Sequence, residues 1–201
     1  MSQPPRSKDE SLITPWVFFR YMVIGLYVGI ATIGIFIWWY CFDYNDPDGH
    51  TLVSFAQLSH FHKCSTWSDF SVAPYAEYTL EDSCEYFNEG KVIASTLSLT
   101  VLVTIEMLNS LNALSEDGSL FVIPPWKNMY LVFAILGSFV AHFCILYIPS
   151  MRDIFNVYPL TWRHWAYVFV FSIPVIIIDE ILKAFGRAYH KRELEKRKKN
   201  L

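Results

Sequence analysis

The sequence predicts an all-α membrane protein, a four-helix transmembrane bundle with a long loop between the first two helices. Three observations carry this. Of the 201 residues, 53% are hydrophobic and 17% aromatic. The apolar residues gather into four runs, each long enough at about 1.5 Å per residue to cross a hydrocarbon core of about 30 Å. Basic residues concentrate at the chain's two ends, whereas acidic residues fill the loop between the first two runs.

Residues 1–15, opening "MSQPPRSKDESL", are polar and read as a short N-terminal segment. The run from Ile13 to Tyr40 is too long for the apolar region of a cleaved signal peptide, so it is expected to stay in the mature protein. Its helix is placed over 16–40. Gly25 and Gly29 form a small-xxx-small pair that permits close helix approach, and Trp38, Trp39 and Tyr40 suit the headgroup level at its far end. The second helix is placed over 91–114, the third over 126–148 after Pro124 and Pro125, and the fourth over 165–185, where Pro174 predicts a bend. Residues 16–185 thus read as one membrane domain.

An even number of spans returns both ends to one side. The tail, residues 186–201, holds seven Lys and Arg, and the head adds Arg6, Lys8 and Arg20. Both termini are therefore expected in the cytosol. The loop 41–90 carries nine acidic residues against one lysine, Lys63, and is expected on the luminal or external side.

That loop has little periodicity and contains the turn-forming "NDPDGH". In an oxidising lumen Cys64 and Cys84 can pair and close a loop that so small a core holds poorly; two free thiols are the alternative. Cys144, inside the third span, reads as a small packing residue. No two cysteines have the spacing of a metal knuckle. Asp43, Asp46 and Asp48 alternate like the oxygen ligands of a calcium loop but lack the later bidentate glutamate, so a solvated acidic turn is expected.

The stretch "LSLTVLVTIEMLNSLNAL" at 97–114 carries a single carboxylate, Glu106. Insertion into mid-bilayer costs a charged side chain ~2.5–3.5 kcal/mol, so Glu106 is expected to face inward, bind a cation or stay protonated. Helical spacing sets Ser95, Leu102, Glu106, Asn109 and Ala113 on neighbouring parts of one face, with Ser110 at its edge. Oxygen ligands suit calcium, and sodium or protons use similar groups. The other mid-membrane oxygens are mainly the hydroxyls of Thr32, Thr100, Thr104, Ser138 and Ser172, too few for a complete cage. The structural alternative is a Glu106 paired with Asn or His142 merely to join helices. Asp179 and Glu180 are expected to pair locally with Lys183, four and three residues on.

Several stretches resemble one family. "PPRSKDESLITPWVFFRYMVIGLYVG" at 4–29, "LSLTVLVTIEMLNSLNALSEDGSL" at 97–120, "PPWKNMYL" at 124–131 and "IPVIIIDEILKAFGRAY" at 173–189 are similar, in order, to the C-terminal membrane region of P-type calcium-transporting ATPases of the sarcoplasmic/endoplasmic reticulum type. The resemblance implies that the four spans correspond to helices seven to ten of a ten-helix pump. It implies Glu106 as a calcium ligand, behind which helical spacing sets Asn109 one turn on. It also implies a disulfide between Cys64 and Cys84 in the luminal loop, which looks expanded here. The complete pumps of this family move calcium into the lumen at the expense of ATP, with Mg2+, and return protons.

No "DKTG" phosphorylation sequence is present. This chain alone is therefore expected not to hydrolyse ATP and to have no catalytic residue. Its expected partners are membrane lipid, the remaining helices and cytosolic domains of a calcium pump and small membrane regulators, with no nucleic acid. The terminal "KKNL" resembles a dilysine retrieval signal, which implies the endoplasmic or sarcoplasmic reticulum membrane. A noncatalytic four-span protein that regulates an intact pump or other transporter is the alternative function. An independent channel or exchanger has less in its favour, because the spans offer one central carboxylate and no continuous polar path.

Overall fold

The computed structural model describes residues 15–44, 49–75, 80, 82–113 and 128–199, with side chains described as far as residue 189. Arg6, Lys8, Asp46, Asp48, Pro124, Pro125 and the end of "KKNL" lie outside the described residues. No β-strand occurs among the described residues. The helices are α1 (Pro15–Phe42), α2 (Phe55–Ser59), α3 (Val92–Asn112), α4 (Met129–Tyr147), α5 (Pro149–Phe155), α6 (Trp162–Ser172) and α7 (Pro174–Lys199), with 3₁₀ helices at Phe61–Thr66 and Ser83–Phe87. Among the described residues, three segments are long and apolar enough to cross a membrane: Pro15–Phe42, Ser83–Asn112 and Met129–Tyr147. In hydrocarbon a helix satisfies its own backbone, which is why such runs adopt this form.

The first three expected spans match α1, α3 and α4 to within a few residues. The fourth differs. Residues 165–185 are divided between α6 and α7 at Ile173–Pro174. Pro174 has no N–H to donate one turn back, so the ladder breaks there. Near the break, the Phe171 carbonyl accepts from the Tyr27 hydroxyl of α1 at 2.7 Å.

α3 is the central element, packed by α1, α6 and α7. Ile93, Leu97, Val101 and Ile105, each four residues on, are fully or almost fully buried. The face bearing Ser95, Leu102, Glu106 and Ala113 is exposed. Polar groups fasten the neighbours to the buried side. Ser98 Oγ donates to the Thr32 carbonyl of α1 at 2.8 Å, and the Tyr158 N–H donates to Thr96 Oγ1 at 3.0 Å. His142 of α4 meets Thr100 Oγ1 at 3.1 Å. Such bonds join helices where apolar contact with lipid gives no net drive to associate.

Two packing expectations fail. Gly25 and Gly29 have nothing within 4 Å of the place a Cβ would occupy, so that pair lies at no helix contact among the described residues. Gly34 is the glycine of α1 in a close approach, to Phe171. Cys144 is exposed rather than packed, because α4 meets the rest of the chain along a narrow strip around His142 and Leu146.

The connection between α1 and α3 is built on aromatic rings rather than periodicity. Tyr40, Tyr75 and Tyr86 are buried, and each hydroxyl donates to a carbonyl of another segment: Tyr86 at 3.2 Å, Gly90 at 2.7 Å and Thr51 at 2.8 Å respectively. Cys64 and Cys84 form a disulfide that ties the two 3₁₀ helices together. Ser54 and Gln57 form a capping box that starts α2. A Cβ at Gly90 would meet the Tyr75 hydroxyl and lie 2.7 Å from the Tyr86 carbonyl oxygen. Gly90→Ala is therefore expected to cost about 1–3 kcal/mol, read as a lower thermal unfolding midpoint in detergent; an unchanged midpoint contradicts this packing.

Candidate functional site

Glu106 lies on α3, six residues before its C-terminal Asn112 and so about 9 Å from that end. Its side chain is exposed, and among the described residues it makes no hydrogen bond or ion pair. The bond from Ser110 Oγ, at 2.9 Å, reaches only its backbone carbonyl. His142 is committed to Thr100. The helix-joining role for Glu106 therefore has no partner here.

Beside Glu106 opens a cavity of about 310 Å³, lined by Arg20 and Ile24 of α1, Asn109, Ser110 and Asn112 of α3 and Asp179 of α7. Its walls hold buried polar atoms without a partner: Asn109 Oδ1 and both side-chain atoms of the Asn112 amide. A polar space of this size with orphaned donors and acceptors suits water or an ion's hydration shell. The spacing read from the sequence thus brings Glu106, Asn109 and Ser110 to one place.

At the far wall sits a charge cluster. Arg20 Nε donates to Asp179 Oδ1 at 2.7 Å, and Lys183 Nζ lies 3.0 Å from Asp179 Oδ2. Lys183 Nζ also donates to the Asn112 carbonyl at 2.8 Å. Asp179 has no exposed surface, and Arg20, Lys183 and Asn112 are all at least nine-tenths buried. The local Asp179–Lys183 pairing was legible from spacing. The reach to Arg20, 159 residues away in sequence, was not, because an isolated arginine beside an aromatic run reads as a flank charge.

Most of the remaining oxygens are spent elsewhere. Thr32, Thr104 and Ser138 each donate to a carbonyl of their own helix. Ser172 is buried without a partner, beside the Pro174 break. Asp43 is no free acidic ligand: it is buried, accepts from Tyr167 Oη at 3.1 Å and lies 3.6 Å from Arg163. Among the described residues no cluster of three or more His, Cys, Asp or Glu can hold a metal. Glu106 and Asn109 can supply part of an oxygen shell for a hard cation, and further ligands must come from outside these residues.

The charge cluster sets a stability test. Asp179→Ala removes the shared carboxylate from two buried cations and is expected to cost about 3–5 kcal/mol, whereas Lys183→Met keeps the Arg20–Asp179 pair and should cost about 1–3 kcal/mol. Denaturation followed by intrinsic fluorescence separates them, and equal losses contradict the shared carboxylate.

Residues 1–185 match the family model described as "Cation transporting ATPase, C-terminus". The chain is 52% identical over 197 residues to "Calcium-transporting ATPase 4, endoplasmic reticulum-type" of Arabidopsis thaliana, a match covering 93% of this chain and 19% of that protein. It is 52% identical over 198 residues to "Calcium-transporting ATPase" of Plasmodium falciparum, covering 98% and 16%. To "Endoplasmic reticulum calcium ATPase srcA" of Aspergillus fumigatus it is 47% identical over 184 residues, covering 91% and 17%. The chain spans less than a fifth of the length of these relatives.

Proposed function

Because the chain belongs to the cation-transporting ATPase C-terminal family, we propose that it is the membrane portion of a calcium pump in which Glu106 supplies one carboxylate ligand to the transported ion. The observation that carries this reading is the Glu106 carboxylate itself. It stands on the uncovered face of a membrane helix with no partner among the described residues. A charge left so at that depth calls for a counter-charge from outside the chain, and a cation held jointly with other helices supplies it.

On this reading the ATP-hydrolysing parts and the other ligands belong to the rest of the pump. Asn109, one turn beyond Glu106, stands behind the ligand with its free Oδ1. Four crossings, with α6 and α7 together making the last, put both termini in the cytosol and the acidic α1–α3 connection in the lumen. The lysine and arginine bias of the tail supports this orientation. The names of the relatives, two of them endoplasmic reticulum proteins, favour the endoplasmic or sarcoplasmic reticulum membrane. Calcium is the cargo, ATP and Mg2+ act at the other domains, and lipid and small membrane regulators are the partners of the outer faces.

Glu106→Gln keeps shape and oxygen but removes the charge. In the full-length pump that carries this segment it is expected to weaken apparent calcium affinity by about ten- to a hundredfold, the size of a charge-assisted contact. Glu106→Ala should weaken it further. Calcium titration of ATP hydrolysis reads both, and near-normal affinity in Glu106→Ala removes the assigned role.

A further inference from the structure

We propose that Lys183 is a positioning residue for Glu106: reaching across from α7, it caps the C-terminus of α3 and fixes the height and rotation at which Glu106 meets the cation. The inference rests on the ligand role proposed for Glu106. The last carbonyls of a helix have no partner within it. For α3 the Asn112 carbonyl is taken by Lys183 Nζ at 2.8 Å, a contact between buried groups 71 residues apart. A cation at this end also complements the helix dipole.

A lysine on a long stem holds nothing unless it is itself held. Asp179, one turn earlier on α7, lies 3.0 Å from Nζ, and Asp179 is in turn bonded to Arg20 of α1 at 2.7 Å. The chain of contacts therefore starts on α1 and α7 and ends on the backbone of α3, about 9 Å beyond Glu106. Because no side chain among the described residues grips the Glu106 carboxylate, its place is set by the α3 backbone. Fixing the end of α3 fixes the ligand.

Charge and position predict opposite signs, which makes the role testable. Removing a positive charge near a cation site strengthens cation binding on Coulomb grounds; releasing the end of α3 weakens it. In the full-length pump, Lys183→Met is expected to weaken apparent calcium affinity about three- to tenfold, the scale of a helix-terminal cation contact. The maximal ATPase rate at saturating calcium should stay within about twofold, since binding rather than chemistry is altered. Lys183→Arg, which keeps a cationic donor, should restore affinity most of the way.

Unchanged or tighter calcium affinity in Lys183→Met overturns the proposal, as does a loss of maximal rate at unchanged affinity. Should Lys183→Met fail to accumulate, Lys183→Gln, neutral and too short to reach Asn112, carries the same comparison with the same two outcomes. If Glu106→Gln leaves calcium affinity intact, the ligand role itself is wrong. If Glu106→Gln weakens affinity and Lys183→Met does not, only the positioning role is lost.

Discussion

Asp179 is a carboxylate with no exposed surface, and the arrangement of α1, α3 and α7 depends on its neutralisation. Taking an ion out of water costs several kcal/mol even after relaxation, and the cost is recovered only where good partners converge. Arg20 comes from α1 and Lys183 from α7, and the lysine goes on to the last carbonyl of α3. One buried charge thus specifies the mutual placement of three helices. Apolar side chains alone would not, since lipid is as good a neighbour for leucine as another helix is.

The opposite end of the bundle solves the same problem with different chemistry. Rings of Trp39, Tyr40, Tyr75, Tyr86 and Phe87 pack on one another, and the tyrosine hydroxyls satisfy carbonyls that no regular element takes up. The Cys64–Cys84 disulfide closes the connection across the two 3₁₀ helices, and Asp43 joins the end of α1 to α6 through Tyr167 and Arg163. With both ends of the bundle tied, the contrast among its carboxylates acquires meaning. Asp43 and Asp179 are buried and partnered, whereas Glu106 is exposed and has no partner among the described residues. On the function proposed above, that difference separates a structural charge from one that meets the transported ion.

The sequence made the membrane helices legible because their signal is length and hydropathy, which need no knowledge of neighbours. α1, α3 and α4 follow it closely. The fourth expected span was readable as a stretch with a bend, but its division into α6 and α7 at Pro174 was not, and the bond from Tyr27 to the Phe171 carbonyl near that bend joins residues 144 apart. Gly25 and Gly29 carried a packing signal that goes unused among the described residues, since a small-residue pair says that a helix can approach and not which one. In the α1–α3 connection the Ser54–Gln57 capping box was written in the sequence and went unread among so few apolar positions, while the tyrosine bonds to distant carbonyls leave no local trace. At the site, Glu106, Asn109 and Ser110 were gathered by helical period alone, whereas Arg20 entered only through tertiary contact.

The proposal is that the Glu106 carboxylate, unpaired among the described residues, is completed by the ion the pump carries. A structure of the full-length pump with calcium bound tests it most directly. The account predicts a Glu106 carboxylate oxygen at about 2.3–2.6 Å from the ion, the usual calcium–oxygen distance, with Lys183 still on the Asn112 carbonyl. Glu106 bonded instead to another side chain, with calcium coordinated elsewhere, would contradict it.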